Sequence, residues 1–189
     1  DTQVSLLLGL AFALFYTTMG IPIGRLADKK SRRTIIAVGI SFWCLMTAAC
    51  GLAKNYMQLF LARVGVGVGE ATLSPSSLSM IGDYFPKEKR GKALGLFNIG
   101  VSVGAGIAYI IGGQIMAYVA TRDNISLPII GEIYPWQALF IMVGLPGLLV
   151  AALMMTVKEP ERSEKIELKS DEGNVTDEVS IKETVNFIW

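Results

Sequence analysis

Long apolar windows alternate along this chain with short segments that concentrate its charge. Five windows are predicted to be membrane-spanning helices: 4–23, 34–53, 56–80, 93–119 and 136–157. The first two carry no charge and are each about 20 residues long, which is the length a helix needs to cross roughly 30 Å of hydrocarbon. The pattern therefore predicts an all-α, polytopic membrane protein with five transmembrane helices.

Composition supports a membrane protein and narrows its chemistry. Hydrophobic residues make up 52% of the chain and charged residues only 17%. Histidine is absent, and the two cysteines, Cys44 and Cys50, lie in a single apolar window. These counts argue against histidine-dependent catalysis, a disulfide framework and a metal site. We therefore expect no enzyme activity, no bound metal and no cofactor.

The basic residues predict how the chain lies across the membrane. Loop 24–33 carries five Lys or Arg residues and loop 83–92 carries four, whereas the two intervening loops carry one each, Lys54 and Arg122. Because basic loops stay in the cytoplasm, loops 24–33 and 83–92 and the tail 158–189 are predicted to be cytoplasmic, in a multi-pass protein of the cell's inner (plasma) membrane. The tail carries five basic and nine acidic residues, as expected of a solvated connector.

Two ionisable residues, Arg63 and Glu70, lie well inside the third window. Each costs roughly 2.5 to 3.5 kcal/mol if it faces lipid at the centre of a helix. They are seven residues apart, so two helical turns bring them to the same face, about 10 Å apart along the axis. We expect them to line a polar cavity and to serve proton coupling or substrate binding. The alternative is an internal polar latch that fixes helix packing.

Two further classes of partner are argued against by local sequence. The glycines of the third and fourth windows are not followed by the Lys-Ser/Thr pair of a nucleotide-binding loop. The basic loops lack the interleaved aromatic residues of a nucleic-acid surface, and orientation in the membrane already accounts for their charge. We therefore expect no nucleic-acid partner.

Several motifs resemble the major facilitator superfamily of secondary transporters, and within it the Spinster-related branch. The strongest is the charged loop 24–33, which is similar to the family's signature between its second and third helices, with Ser31 where a glycine is usual. The other similar segments are 63–67 with 69–71, 104–109, 136–140 and 158–162. The resemblance covers nearly the whole chain, in the family's order.

The resemblance implies a place for this chain in a larger transporter. Residues 1–157 would supply the second to sixth helices of a twelve-helix protein, in its N-terminal half-bundle. The tail 158–189 would be the cytoplasmic connector to a C-terminal half that lies outside this chain. The ends, Asp1 and Trp189, suit such a fragment because neither resembles a natural terminus. The family's mechanism is alternating access around a site near the bilayer midplane.

The loop signature also implies a set of gating residues. In the resemblance, Asp28 and Arg32 form a charge cluster with Asp83 that holds the two halves together when the site faces outward. Gly24 and Arg33 belong to the same signature.

Weaker candidates for lining the cavity are Tyr16, Thr17, Asn98 and Tyr109, each of which could equally serve packing or helix–helix hydrogen bonding. Ala108 and Tyr109 stand where the family's antiporter signature has Gly-Pro, which argues against antiport and leaves symport open.

Two functions of different classes follow. The first is a secondary active transporter that moves a small organic solute, coupled to protons; the solute could be an organic anion or a lipid-like molecule. The second is a membrane sensor or assembly subunit that keeps the transporter fold but moves nothing. Sequence alone does not name the solute or the direction of transport.

Overall fold

Helices account for most of the regular structure. The computed structural model describes residues 9, 12–121, 125–127 and 131–162. In chain order the elements are α1 (Phe12–Lys29), α2 (Arg32–Cys50), α3 (Tyr56–Glu70), α4 (Leu73–Tyr84), α5 (Lys87–Ala120), β1 (Ile125–Leu127), β2 (Gly131–Ile133), α6 (Pro135–Gly144) and α7 (Gly147–Met154). The helical class predicted from the apolar windows is confirmed.

Polar residues at the predicted loops start two of the helices. The Ser31 side chain accepts a hydrogen bond from the backbone N–H of Thr34 at 3.3 Å and caps α2. Asn55 caps α3 in the same way, accepting from the N–H of Gln58 at 2.9 Å. Such caps satisfy N–H groups that have no partner within the helix. They keep the connections between α1, α2 and α3 short.

Two of the predicted windows are each divided into two helices. Window 56–80 is broken at Ala71 and Thr72 and continues to Tyr84, and window 136–157 is broken just before and at Pro146. Pro75 lacks the N–H that would bond the carbonyl of Ala71, and Pro146 has the same effect in its own window. At the first break, the Thr72 hydroxyl donates to the carbonyl of Gly69 at 2.8 Å.

The other windows differ from the helices mainly at their ends. Window 34–53 corresponds to Arg32–Cys50 and window 93–119 lies within Lys87–Ala120. Window 4–23 corresponds to a helix that runs from Phe12 to Lys29, while residues 4–8, 10 and 11 of that window lie outside the described residues. The charged residues of the first loop thus extend α1 by a further turn and a half.

Helix α2 lies at the centre of the packing and contacts α3 most extensively, followed by α6, α7 and α4. Its Ile36, Ile40 and Cys44 form a buried cluster with Met80 of α4 and Ala151 of α7. Where α2 crosses α3, a Cβ added to Gly69 would lie 2.9 Å from the Cβ of Trp43. A glycine is therefore required for these two backbones to approach.

Helix α5 and a short hairpin complete the described structure. β1 and β2 pair antiparallel with Ile125 opposite Ile133, a hairpin that the windows did not predict. α5 contacts α4 and α6, and most of its large apolar side chains are exposed, including Tyr109 at 84%. An apolar helix this exposed needs lipid or further protein around it.

Three stretches of the described residues are long and apolar enough to cross a membrane: Arg32–Cys50, Lys87–Val119 and Pro135–Met154, with mean hydropathies of 1.6, 1.8 and 2.1. α1 falls outside this group because its last turns contain Arg25, Asp28 and Lys29, and α3 because it has only 15 residues. The number of spans therefore remains a prediction.

Candidate functional site

A buried arginine organises the end of the bundle that carries loop 24–33. Arg32, at the start of α2, is 1% exposed. Its guanidinium forms an ion pair with Asp83 of α4 through Nη1, and Nε donates to Oε1 of Glu159 at 3.1 Å. It also donates to the Ser79 hydroxyl at 2.9 Å. A buried charge is tolerated when it is paired and hydrogen-bonded, and Arg32 meets both conditions. We call Arg32, Asp83 and Glu159 the Arg32 cluster.

Glu159 accepts four hydrogen bonds from the start of α2. Its donors are the Ser31 hydroxyl at 2.6 Å, the backbone N–H groups of Arg32 and Arg33 at 2.9 Å each, and Nε of Arg32 at 3.1 Å. Partial burial acts to raise the pKa of Glu159, but these donors outweigh it and lower the pKa to about 2. A carboxylate at a helix N-terminus also satisfies N–H groups that the helix itself leaves free.

The segment that contains Glu159 is bound to the bundle at several further points. Arg162 donates to the carbonyls of Ala27 and Lys30 at 2.8 and 2.9 Å. Arg33 donates to the carbonyl of Val157 at 3.3 Å, and the Tyr84 hydroxyl donates to the carbonyl of Lys158. We call residues 158–162 the strap. It ties the loop-side ends of α1, α2 and α4 into one unit; the rest of the predicted connector, 163–189, lies outside the described residues.

The five gating candidates differ in their surroundings. Arg32 and Asp83 are brought together as the resemblance implied, and Arg33 binds backbone carbonyls. A Cβ on Gly24 would contact Pro75 of α4 at 3.9 Å. Asp28 is exposed, and within residues 12–121 and 131–162 it forms no ion pair with Arg32. Glu159 occupies the place expected of Asp28.

Sequence reasoning did not identify Glu159 as part of this cluster, and it treated segment 158–162 only as typical of the family. The available signal was a carboxylate and an arginine, Glu159 and Arg162, placed directly after the last apolar window. Charges at the end of a span indicate a membrane boundary, and they do not by themselves indicate a partner.

Arg63 and Glu70 both lie on α3 and both are half-buried. The Arg63 guanidinium carbon lies 5.7 Å from the centre of the Phe12 ring, a cation–π contact. Its Nε is buried and has no hydrogen-bond partner among the described residues. The two side chains do not approach within the 4.0 Å of an ion pair in the described structure, so each remains available to another group.

The four cavity candidates make different contacts. Tyr16 bonds Ser74 of α4 at 3.1 Å and so links two helices. Thr17 donates to the carbonyl of Ala13, and Asn98 to that of Leu94, each within its own helix. Tyr109 is exposed. Among the described residues no group of three or more Cys, Asp or Glu side chains is arranged to hold a metal ion.

Apolar helices around a buried cluster of charge at one end define a multi-pass helical membrane protein. The family model of the Major Facilitator Superfamily matches residues 1–189, and the chain belongs to that superfamily.

Similar proteins place the chain near the Spinster-like branch. It is 35% identical over 162 residues to protein spinster homolog 1 of Xenopus laevis. The matched region is 85% of this chain and 28% of the Xenopus protein. It is 30% identical over 150 residues to a probable L-galactonate transporter of Escherichia coli, and the matched region is 79% of this chain and 30% of that transporter.

A solved structure agrees with these relatives. The crystal structure of a bacterial homolog to the human lysosomal transporter Spinster, inward-facing and unoccupied, matches with a TM-score of 0.73 and 36% identity, over 87% of this chain and 37% of that one. The chain thus spans about a third of the length of the proteins it matches. The resemblance to the Spinster-like branch is confirmed.

Proposed function

We propose that this chain is part of a secondary active transporter that moves a small organic solute across the membrane by alternating access, coupled to protons. Residues 1–157 would supply helices of the N-terminal half, and 158–189 the connector to the other half. Membership of the superfamily and the transporter names of the relatives support this proposal. They also favour a carrier over an enzyme.

Proton coupling is assigned to Glu70, and Arg63 lies two helical turns away on the same helix. The observation that carries this assignment is the arrangement on α3: a half-buried carboxyl and a half-buried guanidinium on one face, with no ion pair between them and with Nε of Arg63 left without a partner among the described residues. Burial favours the protonated carboxyl and an approaching cation favours the carboxylate, so movement of charge near Glu70 would change its proton affinity. Arg63 would hold an anionic group of the solute.

Gating is assigned to the end of the bundle that carries loop 24–33. The Arg32 cluster and the strap join α1, α2 and α4 there, which supports movement of this end as one rigid unit when the two halves rock. On the orientation predicted from the basic loops, this end is cytoplasmic and the protein lies in the inner membrane.

The solute class follows from Arg63 and from the relatives. One relative is named a probable L-galactonate transporter, and galactonate is a sugar acid whose carboxylate would suit a guanidinium. A lipid-like solute is the other candidate, and it rests on the resemblance of the sequence motifs to the Spinster-related branch.

The test is solute uptake into liposomes that contain the full-length protein, driven by an imposed pH gradient, with labelled L-galactonate and a labelled lysophospholipid as probes and a pH-sensitive dye inside. Glu70→Gln should abolish proton-driven accumulation while solute exchange continues. Glu88→Gln, an exposed carboxylate in the first turn of α5, is the matched control. Normal accumulation by Glu70→Gln would exclude Glu70 from coupling. Binding of a probe without any flux would favour the sensor.

A further inference from the structure

A groove opens between α1 and α2 and has a volume of about 510 Å³. Apolar side chains form most of its wall, among them Leu26 of α1, Val38 and Phe42 of α2 and Val68 of α3. Polar side chains lie mainly towards one end, where Lys30 and Thr34 contribute to the lining. The groove is thus apolar along most of its length and carries the basic side chain of Lys30 at one end, which we call its mouth.

The position of the groove places it in one leaflet of the bilayer. Thr34 and Phe42 are eight residues apart on α2, so the lined stretch is about 12 Å long. It starts at loop 24–33 and runs along a helix long and apolar enough to span the membrane. With α1 and α2 in the membrane, the groove lies at the depth of the acyl chains of the leaflet beside that loop.

The mouth of the groove carries a positive charge that the described residues do not neutralise. Lys30 is exposed, and its hydrogen bonds within those residues are made by its backbone N–H, to Leu26, and by its backbone carbonyl. Among the nearby carboxylates, Glu159 and Asp83 bind Arg32, and Asp28 is exposed on α1. A lysine near the membrane surface attracts anionic lipid, so Lys30 at the end of this groove favours the phosphate of a lipid headgroup.

We propose that this groove binds one anionic phospholipid from the leaflet that contains loop 24–33, with an acyl chain between α1 and α2 and the phosphate at Lys30. The alternative occupant is a helix from another part of the protein, which would exclude lipid from the groove and which the test below distinguishes. The proposal depends on α1 and α2 lying in the membrane and is independent of transport.

The test uses fluorescence quenching in nanodiscs that contain the full-length protein. Phe42→Trp places an indole in the groove wall, and the quenching of the parent protein is subtracted from that of the variant. Brominated phosphatidylglycerol and brominated phosphatidylcholine, at equal mole fractions in an unbrominated phosphatidylcholine bilayer, serve as the anionic and neutral probes. We expect the anionic lipid to be favoured about fivefold, the effect of one basic side chain near a membrane surface.

Lys30→Gln in this background should remove the preference, and Lys30→Arg should retain it. Lys89→Gln is the matched control, because Lys89 is another exposed lysine at the same end of the bundle and lies on α5, away from the groove. Equal quenching by the two lipids would overturn the proposal. So would an equal loss in Lys30→Gln and Lys89→Gln, which would indicate diffuse surface charge. Absence of quenching above the parent would also overturn it, since protein would then cover the groove.

Discussion

Replacing Glu159 by Gln tests whether the strap stabilises the bundle through its charge. The wild-type carboxylate accepts two hydrogen bonds on each oxygen: Oε1 from the backbone N–H and Nε of Arg32, and Oε2 from the Ser31 hydroxyl and the backbone N–H of Arg33. A Gln side chain has only one oxygen that can accept these bonds. Its NH₂ group takes the place of the second carboxylate oxygen and faces donors there, for example the Ser31 hydroxyl and the Arg33 N–H if it replaces Oε2. Ser31 can rotate its hydroxyl to accept, but the N–H of Arg33 cannot.

The expected loss of stability follows from these contacts. Removing one partner of a buried ion pair costs about 3 to 5 kcal/mol, and hydrogen bonds to charged groups contribute about 1.5 to 3 kcal/mol each. Two features reduce the effect here: the Glu159 side chain is 27% exposed, and Arg32 keeps its ion pair with Asp83. We therefore expect Glu159→Gln to lower the free energy of unfolding at pH 7 by about 2 kcal/mol.

The pH dependence gives a sharper check. The pKa of Glu159 falls from 4.5 to about 2 on folding, so the unfolded chain binds the proton more tightly than the folded one. The stabilisation from its charge is complete above pH of about 4.5 and is lost as the pH falls toward 2. The difference between wild type and Glu159→Gln should therefore be largest near pH 7 and should shrink markedly by pH 3.

The assay is reversible unfolding in detergent, followed by tryptophan fluorescence at pH 7, 4.5 and 3. Glu161→Gln is the matched control, because Glu161 is an exposed carboxylate two residues further along the strap. The reasoning would be refuted if Glu161→Gln cost as much as Glu159→Gln, or if the difference at pH 3 equalled that at pH 7.

Two further predictions concern packing and the Arg32 cluster. Gly69→Ala should destabilise the bundle by about 1 to 3 kcal/mol, because the new Cβ would lie 2.9 Å from the Cβ of Trp43. Gly104→Ala, whose new Cβ meets nothing within 4 Å, should be neutral or slightly stabilising. Thermal unfolding in detergent measures both variants, and equal effects would contradict the close crossing of α2 and α3. Asp83→Asn should lower the free energy of unfolding by about 2 kcal/mol, because Arg32 loses its ion pair with Asp83. Asp28→Asn should lower it by less than about 0.5 kcal/mol, because Asp28 is exposed. The same unfolding assay measures both, and a similar loss in the two variants would show that Asp28 belongs to the Arg32 cluster.

Local sequence is sufficient to predict the helical class and much of the site. Apolar length predicts a helix in a membrane because unpaired backbone groups cannot remain in hydrocarbon. The period of the helix alone places Arg63 and Glu70 on one face, since seven residues complete almost two turns. The charged loop 24–33 is sufficient for the family resemblance, and the ion pair of Arg32 with Asp83 agrees with it.

Other features depend on residues far apart in the chain or on single prolines within apolar windows. The breaks before Pro75 and at Pro146 are invisible to average hydropathy, because one missing N–H changes the backbone without changing the apolar character of the window. The hairpin of β1 and β2 was also unpredicted, since its strands have only three residues each.

The clearest division between sequence and tertiary structure is at Glu159. Its hydrogen bond with the Arg32 side chain joins residues separated by 127 positions. A local sequence pattern therefore does not predict which of several carboxylates binds Arg32. Hydropathy is a property of a short stretch, so local sequence is enough to locate the apolar segments and the charged segments between them. The packing of α2 against α4 and the strap brings Asp83 and Glu159, and not Asp28, into contact with Arg32. This part of the site depends on tertiary structure, because a buried guanidinium pairs with the carboxylates that lie next to it in space, wherever they stand in the chain.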